Sequence, residues 1–228
     1  MKHKIIFIAL DCSISKAKSI IKSIPKINSK KYKFALKIGY QIFFAKGGRE
    51  FIKSIKNFKI FLDIKAYDIE NTIKNAMLSI KDLSNVEYIS VHASSGIKAL
   101  KVAKKFAGNK KILAVTTLTS FNQKNLQEIG YKKKLSDLVF LQAKNAKKAG
   151  CFGIVCSGHE SLKIYKKFKI NTITPGIRLP GSKLNEQKRV STPLKAFINS
   201  KAYGIVIGRS ITGNIKKNIN KLLTHLGE

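Results

Sequence analysis

Short apolar runs alternate with amphipathic stretches from one end of the chain to the other. The apolar runs are six to eight residues long and rich in Ile, Val, Phe and Leu, which is typical of buried strands. They predict eight β-strands, at 5–11, 33–39, 59–66, 88–93, 111–118, 152–157, 171–177 and 203–209. The segments between them carry apolar residues at helical spacing, as in SISKAKSIIKSI and GIKALKVAKKFA, and SITGNIKKNINKLLTHL predicts a terminal helix.

Eight strands that each precede a helix, at nearly uniform spacing, predict an α/β fold. The pattern favours a parallel (β/α)8 TIM barrel, formed by a single domain over residues 1–228. The rival architecture, an open doubly wound sheet, usually has a glycine-rich turn after its first strand, whereas this chain has ALDCSIS there. Two loops are longer than their neighbours, at 119–134 and 178–192, and are candidate lids over the catalytic face.

Polar side chains gather where the strands end, although the strand interiors are almost wholly apolar. In chain order these polar residues are Asp11, Lys37, Asp63, Lys65, Asp68, His92, Thr119, Ser157, Arg178 and Arg209. The active sites of (β/α)8 enzymes lie at the C-terminal ends of the strands, so these side chains predict one shared site.

The third strand carries the most specific pattern, FLDIKAYDIENT. Asp63 and Lys65 are two residues apart, so alternation along a strand points both side chains the same way. Buried opposite charges are costly unless they are paired, so the two form either a structural ion pair at the barrel rim or part of the chemistry. Lys37, one strand earlier, would extend them to a Lys–Asp–Lys array that aims a protonated lysine at a developing carbanion.

Strands seven and eight end in TPGIR and VIGRS, each with a glycine beside an arginine. The loops after these two strands often bind phosphate in barrels. Gly208 allows close approach of backbone amides, and Arg209 supplies a bidentate donor. Arg178 and Gln187 would add donors from the preceding loop. The alternative is a pair of glycine-containing turns with surface arginines.

The composition adds a strong positive charge. The formal net charge is +33, from 45 basic and 12 acidic residues, yet only four of the basic residues are arginine and the lysines are spread over nearly every predicted helix. This dispersion favours a solvated surface under A+T-biased coding over a nucleic-acid-binding stripe.

The composition also bears on the compartment. The chain has three cysteines, scattered histidines and no apolar run of about 18 residues. These features favour a cytoplasmic protein with free thiols, no zinc site and no membrane span.

Taken together, the motifs of this sequence resemble those of orotidine 5′-phosphate decarboxylases, especially the bacterial branch. The resemblance covers nearly the whole chain. The resemblance rests on ALD (9–11), LKIG (36–39), FLDIKAYDIENT (61–72), VHASSG (91–96), VTTLTS (115–120), TPGIR (174–178), EQKRVSTP (186–193) and IGRSIT (207–212). Each block alone is weak, whereas their combination is specific. The resemblance implies conversion of orotidine 5′-phosphate to uridine 5′-phosphate and CO2, the last step of de novo UMP synthesis, in a cytoplasmic homodimer without metal or organic cofactor.

The resemblance also implies a role for each matching position. Lys65 would protonate C6 after CO2 leaves, Asp63 would lie against the substrate carboxylate, and Lys37 would pair with Asp63 and touch the ribose. Asp68 and Thr72 would cross the dimer interface, Asp68 to join the partner's charged array. The remaining implied substrate contacts are Asp11 with the ribose, Thr119 and Ser120 with the pyrimidine, and Arg178, Gln187, Gly208 and Arg209 with the phosphate. Ile69 is also an implied substrate-binding residue.

Departures from the family pattern and competing functions remain. Tyr67 and Glu70 stand where the family has His and Pro, and Ser210 replaces a proline, so dimer geometry and turnover are the properties affected.

Magnesium-dependent sugar-phosphate decarboxylases and aldolase-like synthases of the superfamily share the D-x-K-x-x-D segment but carry a glutamate where this chain has Lys37. A basic nucleic-acid-binding protein would need a basic stripe with exposed aromatics. The intact charged set argues against a barrel that has lost its activity.

Overall fold

Eight parallel strands close into a barrel in the order in which they occur along the chain. The structure, a computed structural model, describes residues 3–181 and 191–228. The strands are β1 (Lys4–Ala9), β2 (Tyr32–Ile38), β3 (Ile60–Ala66), β4 (Val86–His92), β5 (Lys111–Val115), β6 (Gly153–Val155), β7 (Asn171–Ile177) and β8 (Gly204–Ile207). Because β1 pairs with both β2 and β8, the sheet is closed. The predicted (β/α)8 barrel is confirmed.

Helices follow every strand. They are α1 (Ile14–Lys22), α2 (Tyr40–Phe43), α3 (Gly48–Ser54), α4 (Glu70–Ser79), α5 (Gly96–Phe106), α6 (Gln123–Glu128), α7 (Leu135–Lys148), α8 (Gly158–Phe168), α9 (Pro193–Ile198), α10 (Arg209–Thr212) and α11 (Ile215–His225). Several begin at a polar cap that accepts an otherwise unpaired backbone N–H, such as Ser13 before α1 and Thr192 before α9. Within the described ranges, no helix is both long and apolar enough to cross a membrane.

The alternation of side chains along each strand separates two apolar layers. The inward-facing residues fill the barrel and are Ile5, Phe7, Ala9, Ala35, Phe61, Tyr88, Leu113, Ile173 and Val206. Phe7 packs edge-on against Phe61 and Tyr88, with ring centroids 5.3 Å apart in both pairs. The intervening residues, such as Ile6 and Ile8, face the helices and join the larger outer core. Two residues beyond the inward Ala35, Phe61 and Tyr88, the same alternation brings polar residues to the open end of the barrel.

Several predicted boundaries were wrong by a few residues. β1 ends at Ala9 and β5 at Val115, so Asp11 and the residues after Val115 belong to loops. β8 ends at Ile207, and Arg209 begins α10. The single terminal helix that was predicted is two helices, because Asn214 leaves the helical conformation and caps α11 by accepting a hydrogen bond from Lys217 N.

The two predicted long loops differ in what the structure describes. The loop at 119–134 contains the short helix α6, which Asn122 opens with a capping box. In the loop at 178–192, residues 182–190 lie outside the described part of the chain.

Candidate active site

A cavity of about 670 Å³ opens at the C-terminal ends of the strands. It is lined by residues that follow or end seven of the eight strands, so barrel closure brings together positions that are distant in sequence. The predicted site residues that line it are Asp11, Lys37, Asp63, Lys65, Thr119, Arg178, Gly208 and Arg209.

Alternating charges form a continuous array along one wall of this cavity. Lys37 Nζ lies 2.7 Å from Asp11 Oδ1 and 3.5 Å from Asp63 Oδ2. Lys65 Nζ lies 3.0 Å from the same Asp63 oxygen. Lys37 and Asp63 are almost fully buried, whereas the Asp11 carboxylate is largely exposed at the mouth. The array therefore holds two ammonium groups in place, and all four of its residues line the cavity.

The Asp63 carboxylate is held in its ionised form. Burial alone would raise its pKa, but Lys37 and Lys65, together with hydrogen bonds from Lys65 and Ser90, outweigh that effect. The pKa of Asp63 consequently lies below its ordinary value. A buried negative charge thus stands beside the ammonium group of Lys65 at neutral pH.

Lys65 has an unusual backbone conformation. Its φ is +40°, in the left-handed region that side chains other than glycine seldom occupy. The pairing of β3 with β4 shifts register between Leu62 and Ala66, so strict strand alternation does not bring the Lys65 side chain to Asp63. The two charges lie side by side, as predicted, but the strand is irregular at this point. Strained conformations of this kind cluster at functional sites.

Three aromatic rings lie near Lys65 and the end of β4. The Tyr40 hydroxyl donates to the Ile64 carbonyl oxygen at 2.8 Å, and the Tyr40 ring centroid lies 5.7 Å from Lys65 Nζ. His92 ends β4, where its ring packs against that of Tyr67. Burial and then the charge of Lys65 lower the pKa of His92, which favours a neutral imidazole. His92 and Ser157 were predicted at the strand ends, but neither is among the residues that line this cavity.

Arginines and glycines line the part of the cavity where β7 and β8 end. Arg178 follows β7 and Arg209 follows β8, and both line the same cavity. Gly176 has a φ of +75°, so the turn in TPGIR requires glycine. At Gly208 an added Cβ would meet only the Ala9 Cβ, at 3.7 Å, so the fold itself leaves room for a side chain there. The cavity thus combines a charged array at the ends of β1 to β3 with two arginines at the ends of β7 and β8.

Some predicted residues lie outside this cavity. Asp68, Ile69 and Thr72 follow β3 and are exposed, and Ser120 is exposed in the loop after β5. Gln187 lies outside the described residues. One chain therefore does not bring Asp68 into its own charged array, in contrast to the other three predicted catalytic residues.

Sequence reasoning missed several neighbours of the array. Ser90 donates to Asp63 Oδ1 at 2.9 Å from within β4. Its signal was present, because a lone polar residue at an inward position of YISVH is unusual in a buried strand. Tyr40, Cys12 and Lys16 were also missed, and the latter two line the cavity. No periodicity identifies these three, since they lie in the loops and helices that follow strands.

Within residues 3–181 and 191–228, no cluster of three His, Cys, Asp or Glu side chains could hold a metal ion.

Known proteins similar to this chain agree in family and fold. Residues 4–218 match the family model described as orotidine 5′-phosphate decarboxylase / HUMPS family. The orotidine 5′-phosphate decarboxylase of Buchnera aphidicola subsp. Acyrthosiphon pisum (strain 5A) is 41% identical over 225 residues, which cover 95% of this chain and 92% of that protein. The corresponding protein of Idiomarina loihiensis is 35% identical over 233 residues, 98% of each chain.

A solved structure extends the similarity to three dimensions. The crystal structure of orotidine 5′-phosphate decarboxylase from Lactobacillus acidophilus superimposes with a TM-score of 0.83 at 28% identity, over 99% of this chain and 100% of that one. The family match spans nearly the whole chain and includes all eight strands of the barrel. The chain therefore belongs to the orotidine 5′-phosphate decarboxylase / HUMPS family of enzymes.

Proposed function

We propose that this protein is an orotidine 5′-phosphate decarboxylase that forms uridine 5′-phosphate and CO2, the last step of de novo UMP synthesis, without a cofactor. The observation that carries the proposal is the Lys37–Asp63–Lys65 array, in which one buried carboxylate oxygen lies 3.5 Å and 3.0 Å from the two ammonium nitrogens. Decarboxylation at C6 requires a fixed positive charge and a proton at the same place, and Lys65 can supply both.

The array suits each bond change of this reaction. As CO2 leaves, the bond between C6 and the carboxylate breaks and its electron pair stays on C6. The Lys65 ammonium group stabilises that charge in a site with little water. One proton then passes from Lys65 Nζ to C6, and the neutral amine regains a proton from solvent. Asp63 lies against the substrate carboxylate, and the repulsion between the two is relieved as CO2 departs.

Binding energy comes from parts of the substrate that do not react. Arg178 and Arg209 line the cavity at the ends of β7 and β8, and we assign them the phosphate, together with Gly208 and Gln187. Asp11 and Lys37 would bind the ribose, and Thr119 and Ser120 the pyrimidine. Phosphate binding far from C6 can hold the substrate carboxylate near Asp63 despite their repulsion.

We assign Asp68 and Thr72 to the active site of a second copy of the chain. Both are exposed, and they share the segment after β3 with Tyr67 and Ile69, which are 65% and 69% exposed. Phe44, after β2, is 72% exposed. Large apolar side chains this exposed, in the segments that follow two neighbouring strands, favour an interface. The proposed form is a cytoplasmic homodimer of single-domain chains, with no membrane or specific nucleic-acid partner.

Lys37 separates this proposal from the magnesium-dependent sugar-phosphate enzymes of the superfamily. A carboxylate at that position would help to bind a cation, whereas here an ammonium group contacts both Asp11 and Asp63 and neutralises them. A nucleic-acid-binding function has no comparable support, because lysines are dispersed over the whole sequence.

The test is a direct assay at moderate salt. Purified protein is incubated with orotidine 5′-phosphate in excess chelator, and the pyrimidine ultraviolet absorbance is followed. Stoichiometric formation of uridine 5′-phosphate is expected for the wild type and none for Lys65→Ala. If the folded, dimeric wild type converts none of it, with or without magnesium, the proposal is wrong, and sugar phosphates with magnesium become the next substrates to test.

A further inference from the structure

One buried hydroxyl joins the two charged residues of β3. Ser90 lies in β4 and is fully buried. Its Oγ accepts a hydrogen bond from the Lys65 backbone N–H at 2.8 Å and donates one to Asp63 Oδ1 at 2.9 Å. A serine hydroxyl has a single proton, so donation to Asp63 and acceptance from Lys65 define its orientation.

The first hydrogen bond supports the strained backbone of Lys65. At a φ of +40° and with the register shifted between Leu62 and Ala66, the Lys65 N–H bonds to a side chain of β4 instead of a carbonyl in the strand ladder. An amide buried without a partner is costly, so the Ser90 oxygen stabilises the left-handed conformation. That conformation sets the direction in which the Lys65 side chain leaves the backbone.

The second hydrogen bond orients the Asp63 carboxylate. Ser90 binds Oδ1, which leaves Oδ2 facing Lys65 at 3.0 Å and Lys37 at 3.5 Å. The same bond is one of the interactions that hold the pKa of Asp63 below its usual value. Rotation of the carboxylate would change the distance between Asp63 and both ammonium groups.

We infer that Ser90 is a positioning residue that aligns Lys65 and Asp63 for the chemical step while making no contact with the substrate. The inference rests on the proposed function and adds a residue to it. Ser90 is not among the residues that line the cavity, so its effect has to pass through the two residues to which it is bonded.

The kinetic test compares Ser90→Ala with Ser161→Ala. Ser161 is an equally buried serine whose hydroxyl also has two partners, Thr172 Oγ1 at 2.6 Å and the Ser200 carbonyl at 2.8 Å, but it does not line the cavity. For Ser90→Ala we expect kcat to fall on the order of ten- to a hundredfold, because a hydrogen bond to a charged group is lost. KM should stay within about threefold, since the phosphate side is unchanged. Ser161→Ala should keep both constants.

A second measurement does not depend on turnover. The chain has only five aspartates, so ¹³C-carboxyl labelling of aspartate gives few resonances, and Asp63→Asn assigns the one of interest. Loss of a donor to the carboxylate destabilises its ionised form, so the titration midpoint of Asp63 should rise in Ser90→Ala and stay unchanged in Ser161→Ala.

Each outcome decides the inference. The inference is overturned if Ser90→Ala has the wild-type kcat and an unchanged titration midpoint for Asp63. It is also overturned if kcat falls equally in Ser90→Ala and Ser161→Ala, because equal losses would indicate a general effect on folding. If the wild type itself does not decarboxylate orotidine 5′-phosphate, the proposed function fails, while the titration still tests whether Ser90 orients Asp63. Should Ser90→Ala not fold, Ser90→Cys provides both measurements, because a thiol is a weak donor of similar size.

Discussion

Asp63→Asn removes the buried negative charge between two lysines and keeps the shape of the side chain. In the native protein Asp63 Oδ2 lies 3.0 Å from Lys65 Nζ and 3.5 Å from Lys37 Nζ. At such separations an effective dielectric constant of about 20 gives roughly 5 kcal/mol of attraction for each pair. Burial of the charges offsets much of this attraction. We therefore expect Asp63→Asn to lower the free energy of unfolding by about 3 kcal/mol near neutral pH.

This loss of stability should depend on pH. Although burial raises the pKa of Asp63, Lys37 and Lys65 hold it below its ordinary value. A carboxyl group with a depressed folded pKa contributes stability that is complete above its unfolded pKa of about 3.9 and is lost as the pH falls through the folded pKa. The difference between wild type and Asp63→Asn should therefore be largest near neutral pH and should shrink in acid.

Urea unfolding, followed by far-ultraviolet circular dichroism at neutral and acidic pH, measures this difference. Asp82→Asn is the matched control, because Asp82 also contacts two cations, Arg49 at 2.9 Å and Lys53 at 2.6 Å, but at the exposed surface. Solvent screens such a pair, so the control should change little. Equal losses in both variants, or an Asp63→Asn variant as stable as the wild type near neutral pH, would refute the assignment of a net stabilising buried array.

Three further predictions concern activity and assembly. Lys65→Ala should abolish decarboxylation while circular dichroism shows an intact fold. The control, Lys98→Ala at an exposed position, should retain decarboxylation. Turnover by Lys65→Ala would contradict the role of Lys65 as proton donor. Arg209→Ala should weaken binding of uridine 5′-phosphate by about tenfold or more in calorimetry and leave binding of uridine nearly unchanged, and Arg49→Ala should affect neither. An equal loss for both ligands would remove Arg209 from the phosphate site. A mixture of Lys65→Ala and Asp68→Ala chains should regain activity that each variant lacks alone, because a mixed dimer would hold one complete site. If a proven mixed dimer shows no recovery, Asp68 does not contribute to the active site of the partner subunit.

The repeating elements of the fold were predictable because their signal is local. Alternation in IIFIALD and helical spacing in GIKALKVAKKFA need no knowledge of the rest of the chain, and the eight predicted strands all occur. Boundaries were less accurate where turn chemistry decided them. Asp11 lies beyond β1 and Arg209 begins a helix, since hydrogen bonds and caps end these elements rather than any loss of apolar residues.

The site was predictable as a set of residues but not as a geometry. Polar residues near the C-terminal ends of apolar strands identified Lys37, Asp63 and Lys65, because a parallel barrel brings strand ends to one face. The left-handed conformation of Lys65 and its bond to Ser90 were not predictable, since the alternation of the sequence gives no sign of an irregular strand there.

The sequence by itself determined the succession of strands and helices, the closed apolar layers and the kinds of charge at the open end. Only the tertiary structure decided the geometry of these charges: Lys37 also bonds to Asp11, Lys65 adopts a left-handed backbone conformation, and Asp68 stays at the surface of its own chain. The physical reason is the range of the interactions. Side-chain periodicity depends on residues a few positions apart, while contacts between β1, β2 and β3 depend on the register and closure of the whole barrel.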